Sequence, residues 1–232
     1  MTANHDWRHQ RPVTLPGAGL SPRERNELHN HPTRTSTRIW CHDTHVNGTP
    51  YPTRSFASIN GSPHDILALT PDQTTRLAAV HELGHLLTAR HLEMHMASLT
   101  LGRTLDGTQD PMNACFEASY GPGHTPREVA VMFAAGERAV DRWFRHEGLW
   151  TPERAAVAEC MAVDDRRSVR ELLPRVTFDG GPDDYSYLHD DVDMIMEEYW
   201  QQITAALDHV ITRDHWSGDE IAELTGLDNP AP

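Results

Sequence analysis

Between residues 70 and 93 the chain carries one helix whose polar positions are as restricted as its apolar ones. Thr70-Pro71-Asp72-Gln73 has the form of a helix start, with Thr at the N-cap, Pro at the first helical position and Gln closing a capping box. Leu77, Val80, Leu83, Gly84, Leu86, Leu87 and Leu92 then keep a helical spacing, so the segment reads as a long, largely buried helix ending near residue 93. In its middle stands His81-Glu82-Leu83-Gly84-His85. Two histidines four residues apart lie one turn apart on one face, where both imidazoles reach a single metal ion. The Glu between them stands beside that point, placed to take a proton from an attacking water. Buried His and Glu side chains need partners, and one Zn²⁺ supplies them. The competing reading, a surface helix with two stray histidines, conflicts with the apolar residues on either side.

With 232 residues the chain has room for one domain, or one domain and an arm. The net charge of −14 argues against nucleic acid or an anionic membrane surface as a partner. Every Lys/Arg position is Arg. The 3 cysteines, Cys41, Cys115 and Cys160, are odd in number and dispersed, which suggests a reducing compartment without a disulfide framework. No apolar run is long enough to span a bilayer, and no signal region opens the chain, so a soluble cytoplasmic protein is expected. No G-x-x-x-x-G-K-[ST] phosphate loop occurs, so ATP is not an expected ligand.

Residues 1–37 are polar and rich in His, Arg, Pro and Thr, which predicts a partly disordered arm with one possible short helix at 22–29. His5, His9, His29 and His31 read as solvated surface residues. Residues 38–230 form the expected domain. Arg38–Cys41 and Ser55–Ile59 read as short strands split by turn residues at 47–50. Cys41, His42 and His45 offer three ligands of a second zinc site, one short of a closed structural centre. Ala97–Gly102 alternates as a strand whose edge is expected to be open to an extended peptide, and 103–124 reads as loop. Thr125-Pro126-Arg127-Glu128 opens a helix to about 146, with Ala134-Ala135-Gly136 marking close helix–helix packing. Asp164-Asp165 precedes a helical run to Leu173. Asp179–Asp184 reads as a loop, and Asp190 as the cap of a helix running to about 212. Ser217-Gly218-Asp219-Glu220 starts a short helix that Gly226 stops. The fold class is mainly α with a small β-sheet, in the manner of a zincin-like metallopeptidase domain.

The order of these pieces resembles the peptidase domain of FtsH-type AAA zinc proteases over about residues 71–227. The resemblance rests on Ala79–His85, the strand Ser98–Leu101, the helix piece Ala135–Asp141, Asp164-Asp165 before a helix, the long helix 191–212 and the ending Ser217–Leu224. It implies a zinc peptidase site, here without the ATPase that the family couples to it. His81–Leu87 also resembles the ImmA/IrrE metallopeptidases, whose Glu on a helix with a Phe-Ala-Ala run has a loose counterpart in Glu128 with Phe133-Ala134-Ala135.

Three sources compete for the third metal ligand. His91 gives the metzincin spacing, but on a continuing helix it lies about 240° round from His85. Glu128 stands at the third position of its helix, where its capping box already uses it. Asp165 stands at a helix entrance whose Val169, Leu172 and Leu173 would pack inward, and it is where the FtsH-type resemblance implies a ligand Asp. Asp164 is the near alternative, shifting that apolar stripe by one residue. The expected function is a zinc metallopeptidase or amide hydrolase with Glu82 as general base, acting on a peptide or an amide-bearing small molecule. A non-proteolytic biosynthetic enzyme on the same scaffold is the alternative, and a binding protein with a relict site a third reading.

Overall fold

A computed structural model describes residues 36–46, 49–60, 63–103, 109–151, 154, 155, 157, 158, 162–176 and 185–232. In chain order the elements are β1 (Ser36–Val46), β2 (Thr49–Asn60), α1 (Pro63–Leu67), α2 (Pro71–His91), β3 (His95–Arg103), β4 (Gln109–Ser119), α3 (Pro126–His146), α4 (Val163–Leu172), α5 (Ser186–Val210), β5 (His215–Ser217) and α6 (Gly218–Thr225). The architecture is mainly helical with a small antiparallel sheet, the class that the sequence predicts. No described helix is long and apolar enough to cross a membrane. The arm up to residue 35, with its four histidines and the 22–29 helix, lies outside the described residues, as does the 179–184 loop. The chain falls into two compact units: 69–140 with 191–232, and the part up to 68 with 141–190.

The first unit is built on α2. Thr70 accepts from the Gln73 N–H and the Gln73 side chain accepts from the Thr70 N–H, so the capping box forms as its sequence requires. From Leu77 to Ala89 every residue except His81 is buried, which makes α2 a core helix on nearly all faces. It stops earlier than its apolar pattern suggests. Glu93 adopts a left-handed φ of 60°, and the Met94 N–H reaches back to the Ala89 carbonyl at 2.9 Å. That reversal tucks the Met94 side chain into the core, fully buried, which offsets the strain of a left-handed non-glycine residue.

β3 is the middle strand of the sheet β4-β3-β5. It pairs antiparallel with β4 over His95–Arg103 and with β5 through Ser98–Thr100. This corrects two sequence expectations. The β3 edge at residues 98–100 is taken by β5, and the supposed loop contains β4, an outer strand among the described residues. β4 was hard to read because Pro111 and Asn113 break its pattern. Pro is tolerated on an outer strand, where one side of the backbone has no ladder to join. From Ala114 onward the alternation is plain: 114, 116 and 118 are half-buried while 115, 117 and 119 are exposed.

α3 crosses α2 at very short range. A Cβ added at Gly84 would stand 2.6 Å from the Ala139 Cβ and 2.9 Å from the Ala135 carbonyl oxygen, so only glycine fits there. Arg138 on α3 makes a two-pronged ion pair with Asp193 on α5, at 2.8 and 2.7 Å, with both side chains almost fully buried. α5 begins at Ser186 rather than at residue 191, because Leu188 and Val192 extend the buried stripe by a turn at its N-terminal end. Ser217 and Glu220 form the expected capping box of α6, and Gly226 closes it at φ 68°.

In the other unit β1 and β2 form an antiparallel hairpin from Ser36↔Asn60 to Val46↔Thr49, with a bulge between His42 and Asp43. Both expected strands are there, each longer than its apolar core. Cys41, His42 and His45 lie on β1, and their side chains are outside the described part of the structure. α4 starts after Ala162, with no side chain capping it, so both Asp164 and Asp165 sit within its first turn. Val169 is fully buried, while Leu172 and Leu173 are half-buried.

Candidate metal centre

α2 carries His81 and His85 on one face, one turn apart, and brings their Nε2 atoms to 3.0 Å. His85 is fully buried and His81 half-buried. The His85 ring is fixed from two directions. Its Nδ1 lies 2.8 Å from the Met132 carbonyl oxygen, which can only accept, so Nδ1 carries the proton. Its face stacks on Phe116 of β4, with ring centroids 4.3 Å apart and planes 21° from parallel. Phe116 is in turn held edge-on by Phe133 of α3.

The tautomer has a consequence. With its proton on Nδ1, His85 presents a bare lone pair at Nε2, aimed toward Nε2 of His81. Two ligands about 2.0–2.1 Å from a tetrahedral ion stand about 3.4 Å apart, so a separation of 3.0 Å needs only a few tenths of an ångström of opening. A ligating histidine commonly donates its other N–H to a backbone carbonyl, and the Met132 contact has this form. Gly136 adds an independent sign. A Cβ built there would stand 2.5 Å from His81 Nε2 and 2.5 Å from His85 Nε2. The room for both rings therefore depends on a residue with no side chain. Glu82, the neighbour of His81, is buried on the same helix. This donor set fits a tetrahedral, borderline-soft ion such as Zn²⁺.

The other sequence-selected residues are placed as follows. His91, exposed at the end of α2, is 3.6 Å from the Glu198 carboxylate and edge-on to Tyr199. Glu128 closes its own capping box, accepting from the Thr125 N–H at 2.6 Å and the Thr125 hydroxyl at 2.8 Å. Those bonds, the backbone one first, hold its carboxyl below the usual carboxylate range. His91 and Glu128 share a cavity of ≈ 420 Å³ floored by Leu92, Val131, Met194 and Ile195, and neither motif histidine lines it. Asp164 is exposed and pairs with Arg167, one turn on, at 2.6 Å. Asp165 is half-buried and is followed by the buried Arg166, whose guanidinium lies over the Tyr185 ring.

Sequence reasoning did not select Met132, Phe116 or Gly136 as parts of the centre. A backbone carbonyl leaves no mark in a sequence. Phe116 lay in a segment read as loop. Gly136 was noticed, though only as a packing residue. No protein-family model and no curated protein matches the chain.

Proposed function

We propose that the chain is a zinc-dependent peptidase or amide hydrolase with a zincin-like core, similar in plan to the FtsH-type peptidase domain and cytoplasmic in location. The observation that carries this reading is the His81–His85 pair, with the fully buried His85 imidazole locked in the ligating tautomer and no side chain at Gly136 to displace the two rings. Asp165 is the third ligand in this reading. It is the residue at which the FtsH-type resemblance implies a ligand Asp, and it stands half-buried in the first turn of α4. An ImmA/IrrE-like ligand set would require Glu128, whose carboxylate is engaged in capping α3.

When bound, zinc polarises the scissile carbonyl and brings the pKa of a water molecule down to about 7. The remaining work falls to the protein. Met132 holds the His85 ring so that its lone pair, and not an N–H, faces the centre. Glu82 accepts the proton of the attacking water on its carboxylate and returns it to the leaving nitrogen. β4, with an open edge among the described residues and Phe116 against His85, is the strand on which an extended substrate segment would lie, pairing main chain to main chain.

Glu82→Gln tests the assignment. The variant keeps its zinc and its fold and loses turnover, because the amide cannot accept the proton. Metal content by elemental analysis and hydrolysis of a quenched peptide library provide the readouts. Turnover near the wild-type rate in the variant would remove Glu82 from the mechanism. Less than half an equivalent of zinc in the wild-type protein, after supplementation, would remove the metal.

A further inference from the structure

We infer that Gly136 is a positioning residue of this centre: a side chain at position 136 would displace both proposed ligand imidazoles. The inference rests on the zinc reading above and adds to it a residue with no donor atom.

The nearest atoms to a Cβ at 136 are His81 Cε1, His81 Nε2 and His85 Nε2, each 2.5 Å away. No real Cβ tolerates such distances, so any residue other than glycine forces the rings or the helix to move. Two of these atoms are the proposed donor nitrogens, so the group displaced by a side chain at 136 is the ligand pair itself. α3 therefore contributes twice to one centre. Met132 and Gly136 lie one turn apart on it, opposite His81 and His85, which lie one turn apart on α2. Met132 supplies the carbonyl that turns His85, and Gly136, lacking a Cβ, leaves room for both rings. Gly84 behaves differently: a Cβ there meets Ala139 and Ala135, not an imidazole, so its role is helix packing. Glycine in mid-helix destabilises by roughly 1 kcal/mol against alanine. At 136 the room needed by the two imidazoles accounts for its presence.

Gly136→Ala is the test, read by zinc stoichiometry, zinc affinity and the zinc-induced rise in thermal midpoint. The wild-type protein should bind one zinc and be stabilised by it. The variant should keep its helical circular dichroism, lose zinc affinity by more than about 100-fold and show no zinc-induced rise. Equal zinc occupancy and affinity in the folded variant would overturn the inference. Should Gly136→Ala fail to fold, His81→Ala and His85→Ala are added. Recovery of folding in the triple variant locates the conflict at the imidazoles and supports the inference. A triple variant as unfolded as Gly136→Ala, beside a folded variant carrying the two histidine changes alone, would show that position 136 serves packing alone. If the wild-type protein takes up no zinc, the zinc reading itself fails, and the stability cycle still reports whether residue 136 and the ring compete for space.

Discussion

The carbonyl oxygen of Met132 stands 2.8 Å from Nδ1 of His85, and this one contact decides that the Nε2 of a fully buried ring, 3.0 Å from Nε2 of His81, carries the lone pair. It joins α3 to α2. The stacked Phe116 completes the hold from the sheet side. A ring fixed in this way does not need to be reoriented when a ligand arrives.

In the proposed zinc centre, Phe116→Ala should therefore lower zinc affinity without removing a donor. Loss of the stacked face frees His85 to rotate and opens the core beside it. Affinity should fall by about 10- to 100-fold, the range seen when groups that orient a ligand are removed. A competition titration against a zinc chelator measures it. Unchanged affinity would mean that the Met132 contact alone fixes the ring.

Gly84→Ala should destabilise by about 1–3 kcal/mol, the usual result of forcing a methyl group into a filled core. Its Cβ would meet the Ala139 Cβ and the Ala135 carbonyl, neither of which is the tip of a flexible chain. Urea denaturation of the zinc-free protein reads this, so that metal loss does not contribute.

Arg138→Ala or Asp193→Ala leaves one buried charge facing the gap its partner filled. Each single change should destabilise by about 3–5 kcal/mol. Replacing both with apolar residues of similar size, Arg138→Met with Asp193→Leu, should be milder than either alone, since no charge remains uncompensated in that pair. A double variant no more stable than the singles would point to further groups that depend on the pair.

Much of the unit holding the histidines was legible because its signals are local. Thr70 with Gln73, Thr125 with Glu128, Ser217 with Glu220, and Gly226 each announce a helix end within four residues, and each forms as announced. β4 was missed because its pairing partner, β3, supplies what its own sequence lacks. The start of α5 was set too late because Asp190 resembles a cap, while burial of Leu188 carries the helix past it. The histidine pair was visible, since i, i+4 spacing is a property of one helix. What surrounds it belongs to other elements, and no spacing in the chain connects residue 85 to residue 132 or residue 116.

Glu220 gives α6 a measurable acid sensitivity. The Ser217 N–H, and after it the Arg213 guanidinium, hold its carboxyl at about 2 against an ordinary 4.5. A carboxyl whose folded value is depressed contributes stability above its unfolded value and loses it as pH falls toward the folded one. The contribution is thus complete above about pH 4.5 and is lost between there and about pH 2. Glu220→Gln should lower the thermal midpoint at neutral pH, and the gap to wild type should close across that window. A gap that persists at the acid end would mean that the loss comes from packing rather than from the charge.

The two neighbouring aspartates separate the ligand assignment from a general effect of acidity on α4. Asp164 is exposed and held by Arg167, so in the proposed centre it has no part. Asp165, half-buried, is the proposed third ligand. Both lie in the first turn of α4, where a negative charge favours the helix, so either Asn substitution weakens the helix end by a similar few tenths of a kcal/mol up to about 1. Zinc binding divides them. Asp165→Asn should lose most of its zinc and all hydrolysis, since a neutral amide is a poor substitute for a carboxylate on a divalent ion. Asp164→Asn should keep both. Elemental analysis of the two variants prepared side by side, with thermal midpoints recorded without metal, is the measurement. Full zinc in Asp165→Asn would send the search for the third ligand elsewhere. Equal losses in both variants, tracking their midpoints, would show that α4 supports the centre by its folding and not by a donor atom.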